Sequence, residues 1–222
     1  MEQCRKMFAV TQLDRPRRKY APRLPRDERR TQLLDAALSV LGDCQLHELS
    51  MEAVARAAGI GKPVLYTAFR SRSDLVAALL HREHQLGMAQ VLAAIPTDLS
   101  VVGPTGAYRA AVSAFLGAVL DHPARWRLIL TVPDIAPREY RDSLRHARSS
   151  ILAQAEPLAR LAASLQPHLA ALDPALLAHT LLSFAEMLGR LAVSDPDTYT
   201  RRRLEEFVAA TTALIGDSSL RE

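Results

Sequence analysis

The sequence predicts an all-α protein, a three-helix N-terminal helix-turn-helix domain joined to a helical body of about six helices. Three observations carry this. Aromatics are only 5% of the chain while Ala and Leu abound, which favours helix over sheet. Apolar residues recur at three- and four-residue spacings in segment after segment. Glycines and prolines fall between those segments, where helices stop and start.

The first helix is expected from Arg26 to Leu41, with Asp27 and Glu28 in its first turn and an apolar stripe of Leu33, Leu34, Ala37, Leu38 and Leu41. Gly42 is expected to stop it, and Leu46 and Leu49 to plug the core from the link that follows. Ser50 is placed to cap the next helix. Residues 51–69 then read as helix, short turn, helix. Val54, Ala55 and Ala58 give the first of these an apolar face, and Gly59 supplies the left-handed turn. Ile60 drops beneath the turn, Gly61 caps the second helix, and Pro63 lies in its first turn. Val64, Leu65, Ala68 and Phe69 are expected inward, leaving Lys62, Pro63, Tyr66 and Thr67 outward.

Ser73 is expected to cap a long helix from Asp74 to Ala94 that stops before Pro96. After a Pro/Gly/Ser loop from Thr97 to Gly106 come a buried helix from Ala107 to Leu120 and a turn at Asp121-His122-Pro123. A short helix follows with Trp126, Leu128, Ile129 and Leu130, ended by Pro133 and Pro137. Glu139 to Leu165 form the next, with Pro157 as a kink and Pro167 as its close. Asp173 and Pro174 open a helix with Leu177, Leu181, Phe184, Leu188 and Leu191 on one face and Leu176, Thr180 and Met187 beside it. The last helix, from Thr198 to Ile215, carries Leu204, Phe207, Val208, Thr211, Leu214 and Ile215 on one side.

A chain of 222 residues, 49% apolar and 23% charged, buries a real core and is not of disordered composition. It has no uninterrupted run of 18 apolar residues, so no membrane partner is expected. The net charge of +4 is unevenly spread: residues 1–72 hold 14 Lys/Arg against 8 Asp/Glu, and residues 73–222 hold 14 against 16. A basic head on a slightly acidic body points to a nucleic-acid partner for the head. Cys4 and Cys44 make neither a disulfide framework nor a metal knuckle, and the N-terminus lacks a secretory apolar core, so a reducing, cytoplasmic setting is expected. Residues 1–25 carry Arg15, Arg17, Arg18, Lys19 and Arg23 among three prolines. They read either as a solvated disordered tail or as a basic arm laid along phosphates or in the minor groove.

A short helix exposing a cation, an aromatic hydroxyl and a threonine suits a major groove. The pattern Ala55, Gly59, Ile60, then Leu65-Tyr66-x-x-Phe69 and Ser71-Arg72-Ser73-Asp74-Leu75 resembles the DNA-binding signature of TetR-family transcriptional regulators over residues 28–80. Gly61 stands where that pattern has a serine cap, and Ala68 where it has a histidine. The resemblance implies a division into an arm (1–25), a helix-turn-helix domain (26–72) and a helical ligand-binding and dimerisation domain (73–222). It also implies that Tyr66 hydrogen-bonds a phosphate.

For Lys62 the functional reading is a phosphate or guanine contact, and for Thr67 a thymine methyl or a phosphate. Pro63 shares their face, and Thr31 and Ser50 are expected to reach phosphates from helix starts. Each also has a plain reading as a surface side chain. Gly59-x-Gly61-Lys62 lacks the strand and the ending of a phosphate loop. His81 and His84 share a helix face but have no third ligand near, so no metal is expected. No catalytic constellation is present and no cofactor is implied, so the chain does not read as an enzyme.

A small-molecule pocket is expected between body helices, from Tyr108, Phe115, Trp126, Leu130, Phe184 and Met187, with His122 or Arg148 as an anchor. Plain core packing is the competing reading of the same residues. The last two helices either close the core or pair with a second copy through Leu177, Leu181, Phe184, Leu188, Leu204, Phe207, Thr211 and Leu214. The resemblance implies the second. The leading expectation is a homodimeric transcriptional regulator, a repressor, that binds a palindromic operator in double-stranded DNA and is released by an unidentified small molecule. The alternatives are an architectural DNA-binding protein without ligand control, and a helical adaptor or enzyme without DNA affinity.

Overall fold

A computed structural model of the chain describes residues 24–95, 102–132 and 136–216, with the side chains of Asp43 and residues 214–216 left aside. The basic arm with Arg17, Arg18 and Lys19, Cys4, and the expected stop at Pro133 lie outside the described residues, as do the side chains of Leu214 and Ile215. Nine α-helices and no strands are found among those residues. The head comprises α1 (Arg26–Asp43), α2 (Met51–Ala57) and α3 (Lys62–Ala68), and α4 (Arg72–Ala94) leads out of it. The body is α5 (Gly103–Asp121), α6 (Pro123–Leu130), α7 (Arg138–Leu165), α8 (Pro174–Ser194) and α9 (Arg201–Gly216).

The head closes around Leu33, Leu34, Ala37 and Leu41 of α1, Val54 and Ala55 of α2, and Leu65 with Phe69 at the end of α3. Leu46 and Leu49 plug this core from the link between α1 and α2. The turn between α2 and α3 places Gly59 at φ +67°, a conformation costly for any residue with a Cβ. Ser50 caps α2 by accepting a bond from the Ala53 amide at 3.1 Å. Pro63 occupies the first turn of α3, whose cap is Gly61.

Several local expectations are corrected. Gly42 does not stop α1, which runs on to Asp43: a helix tolerates one glycine in its last turn. Val64 is exposed rather than inward, because the seven-residue α3 has room for one buried side chain, Leu65, before Phe69 turns the chain inward. Ser71, not Ser73, caps α4. Its Oγ accepts from the Asp74 amide at 3.1 Å, while the Asp74 carboxylate accepts from the Arg70 amide at 3.0 Å. The three-residue spacing from the cap oxygen to the amide it accepts from selects Ser71. α5 starts four residues early, at Gly103, and α9 three residues late, at Arg201.

α4 and α6 join the two halves. Leu75, Val76, Leu79 and Leu80 of α4 belong to the head core, together with Leu128 of α6 and Tyr140 of α7. Next to them lies Glu83, a fully buried carboxylate. Arg82 bonds it at 2.7 Å and also reaches Asp35 of α1 at 2.7 Å, while Arg125 of α6 bonds it at 2.8 Å. One carboxylate therefore ties head, connecting helix and body together. Glycines let α6 approach closely on both sides: a Cβ on Gly87 would strike Ile129, and one on Gly189 would meet Leu130 at 2.8 Å. α8 is long and apolar enough to cross a membrane, yet it packs against α5, α6 and α7 and buries Leu188, Gly189, Ala192 and Val193.

Candidate nucleic-acid interface and body cavity

α3 presents Lys62, Pro63, Tyr66 and Thr67 to the exterior, with Tyr66 half exposed. The Lys62 ammonium pairs with Glu52 of α2, and that bond, with the lysine charge, holds the Glu52 carboxyl below the usual carboxylate range; Arg56 adds to the effect. Lys62 must therefore be shared with or withdrawn from Glu52 to meet a phosphate. Thr67 donates its hydroxyl to the Val64 carbonyl at 2.6 Å. Its donor is used inside the helix, so its methyl is the group it offers outward.

Ser50 keeps its hydroxyl proton for an outside acceptor, because its oxygen is the cap acceptor. Thr31 does not lie at a helix start: it is five residues into α1, and its carbonyl accepts from Arg82 of α4 at 3.4 Å. A concave surface beside α3 brings Ser50, Lys62 and Tyr66 together with His47. His47 had no sequence signal, because it comes from the short 3-10 turn Leu46–Glu48, which borders the same concave surface as Lys62 and Tyr66. Arg72 holds that turn, donating to the carbonyls of Leu46 and Leu49 at 2.6 Å each.

The body encloses a cavity of about 570 Å³. Tyr108, Phe115, Trp126 and Leu130 line it, and Phe184 and Met187 do not. Phe184 instead stacks on Phe207, with ring centroids 5.9 Å apart, and Met187 faces solvent. His122 is also absent from the lining; it forms the exposed joint between α5 and α6. Tyr108 donates to the Leu181 carbonyl at 2.8 Å, and burial pushes its phenol above the ordinary range. Arg148 lines the cavity, paired with Glu186 and bonded to Ser183 at 3.1 Å.

The largest part missed from sequence is α7. Leu144, Arg148, Ile151, Ala155, Leu158, Ala162 and Gln166 line one side of the cavity at spacings of three and four. That periodicity was present in the sequence, but small alanines read as core rather than as room. Among the described residues no group of three or more His, Cys, Asp or Glu could hold a metal ion.

The expected dimer face needs correction as well. Leu188 and Leu204 are buried in the chain's own core, and Leu177 and Leu181 line the cavity. That apolar stripe of α8 packs against α5, α6 and α7. The exposed apolar surface is the neighbouring strip, Leu176 at 68% and Met187 at 39%, with Phe207 of α9 at 46%. Thr211 is half buried and donates to the Phe207 carbonyl at 2.8 Å.

Residues 33–79, most of α1 through the first two turns of α4, match the family model described as bacterial regulatory proteins, tetR family. Residues 33–79 are a TetR-family DNA-binding head. A relative with that head is the HTH-type transcriptional activator FasR of Mycolicibacterium smegmatis, 39% identical over 119 residues, 51% of this chain and 53% of that protein. The chain thus matches about half the length of this curated relative. Among solved structures, a TetR-like transcriptional regulator from Rhodococcus sp. RHA1 is 26% identical, with a TM-score of 0.67, over 88% of this chain and all of that one. The transcriptional regulator FadR from Bacillus subtilis, solved in complex with stearoyl-CoA, shares the fold at 13% identity, with a TM-score of 0.61, over 82% of this chain and 96% of that one. The matched family model and these relatives are of regulatory proteins.

Proposed function

We propose that this TetR-family chain is a DNA-binding transcriptional regulator that works as a homodimer on a palindromic operator and whose operator affinity is set by a small molecule in the body cavity. The observation that carries the reading is the pairing of two features on one pair of helices. α4 and α6 contribute to the filled head that presents Lys62, Tyr66 and Thr67, and also to the wall of the 570 Å³ cavity. A ligand that changes how α4 and α6 sit changes the spacing of two heads, provided it binds one arrangement better than the other.

The dimer rests on the exposed Leu176, Met187 and Phe207 of α8 and α9, with the half-buried Phe184 stacked on Phe207, which two copies bury against each other. The effector is an acyl-chain amphiphile. The lining is apolar apart from charges at one end, and the fold neighbour from Bacillus subtilis was solved with stearoyl-CoA. Repression follows where the operator overlaps a promoter.

Selection of bound sequences from a random DNA pool tests the reading. A palindrome with half-sites about one helical turn apart is the expected winner, and an acyl effector then lowers affinity for it. An unenriched pool, with binding that only tracks salt, sinks it in favour of a non-specific architectural protein.

A further inference from the structure

The cavity has two unlike ends. Its lining runs along α7 from Arg148 to Gln166, roughly 27 Å at 1.5 Å per residue. One end is charged: Arg145, Arg148, Glu186 and Arg190 line it, all with partly exposed side chains. Between the ends the α7 wall is Ile151, Ala155, Leu158, Ala159 and Ala162.

The other end is polar. Gln166, the C-cap of α7, donates its side-chain N–H to the Thr105 hydroxyl oxygen at 3.2 Å. Its Oε1 is buried with no hydrogen-bond partner, and both residues line the cavity. A buried amide oxygen without a donor is uncommon in a folded protein, and a ligand is one way to complete it. Turning the amide over does not remove the deficit, because the N–H then lacks an acceptor. A hydroxyl satisfies either orientation, since it both donates and accepts. A terminal methyl satisfies neither.

We propose that Gln166 and Thr105 form a tail-reading subsite, so that the cavity prefers an extended chain with an anionic head at the arginine end and a hydroxyl at the far end. This rests on the acyl-effector reading above and adds the far-end chemistry to it. The excess of arginine over glutamate at the mouth favours the anionic head there.

The test uses the full chain and the fluorescence of Trp126, its one tryptophan, which lines the cavity. The probes are straight-chain alkanoates of about 12 to 20 carbons, each paired with its ω-hydroxy counterpart, a range set by roughly 1.25 Å of advance per carbon along the cavity. At the best length the ω-hydroxy chain is expected to bind about fivefold tighter, the worth of one net hydrogen bond. Gln166→Leu should erase or invert that preference while still binding the methyl-ended chain. Thr105→Val, which removes the partner that fixes the amide, should weaken the preference and serves if the first variant does not fold. Methyl-ended chains binding as tightly as hydroxy-ended ones overturns the subsite alone. A hydroxyl preference that survives Gln166→Leu does the same. No binding by either series at any length overturns the acyl-effector reading and the subsite with it.

Discussion

The head and the body are built from the same materials, leucine and alanine on amphipathic helices, and reach opposite results. The head is filled: Leu33, Leu49, Val54, Leu65, Phe69, Leu75 and Leu79 are each essentially sealed from solvent, and Arg30 covers Phe69 with its guanidinium 4.3 Å from the ring. The body keeps a core of Leu116, Val119, Trp126, Leu188 and Val208 on one side and leaves a cavity of about 570 Å³ on the other. A surface that must match a fixed groove needs one conformation, and close packing supplies it. A sensor needs space whose filling changes its energy, which a void supplies because its lining lacks contacts until something enters.

The largest expected effect tests that contrast directly. Phe69→Ala removes a ring sealed in the head core and should cost about 4 kcal/mol of unfolding free energy. Phe115→Ala, on a half-buried ring already bordering the cavity, should cost about 2 kcal/mol. Urea melts of the two variants compare them. Equal losses would mean that the body is packed as tightly as the head, and the contrast between filled and hollow halves would fail.

The next effect sharpens how the halves communicate. Glu83→Ala leaves Arg82 and Arg125 without their shared buried carboxylate and should destabilise the chain by about 3 kcal/mol. Glu83→Gln keeps the shape and should be milder. Titrating operator with and without effector is the decisive measurement. In Glu83→Gln both ligands are expected to bind, with the effect of one on the other reduced severalfold. Full coupling in that variant would show that the carboxylate holds the fold together without transmitting anything.

Smaller again are changes on the reading surface. Lys62→Ala should weaken operator binding about fivefold and lower the salt slope by about 0.9, leaving the melt unchanged. Tyr66→Phe should weaken it by a similar factor if the hydroxyl meets a phosphate. Glu52→Gln is the informative partner: it releases Lys62 from its ion pair and should raise affinity at low salt. If Glu52→Gln leaves affinity unchanged, Lys62 is not a DNA contact.

The same contrast explains what could be read in advance. The head is written in local signals. Gly59 needs its left-handed turn, Ser50 has its cap, and the Tyr66 surface is what remains once Leu65 and Phe69 are buried. The cavity is not local. Its residues come from six helices and one turn, and an alanine such as Ala155 reads the same whether it meets a neighbour or a void. The exposed apolar strip of α8 could not be picked out in advance for a related reason. Leu188 and Met187 are adjacent on α8, and only the position of α5 to α7 decides which of them is covered. Glu83 escaped notice because a glutamate on a long helix normally reads as solvated.

The smallest expected effect sits on the joint between the halves. His84 of α4 is half buried, its Nε2 has no hydrogen-bond partner, and its ring meets Tyr140 edge-on at 6.1 Å. Burial, and then the charge of His81, lower its pKa below 6.5. The unfolded chain therefore takes up this proton more readily than the folded one. The resulting stability is fully present above the unfolded value and is lost as pH falls through about 6.5 toward the depressed folded value. Thermal melts of the wild type between pH 8 and pH 5.5 should show a fall in Tm that His84→Phe reduces by about 1–2 °C. Because Tyr140 and Glu83 lie in the same joint, the part of the fall that persists in His84→Phe belongs to other groups. If His84→Phe follows the wild-type curve unchanged, the histidine is solvated in both states, and the joint is wetter than the head core it adjoins.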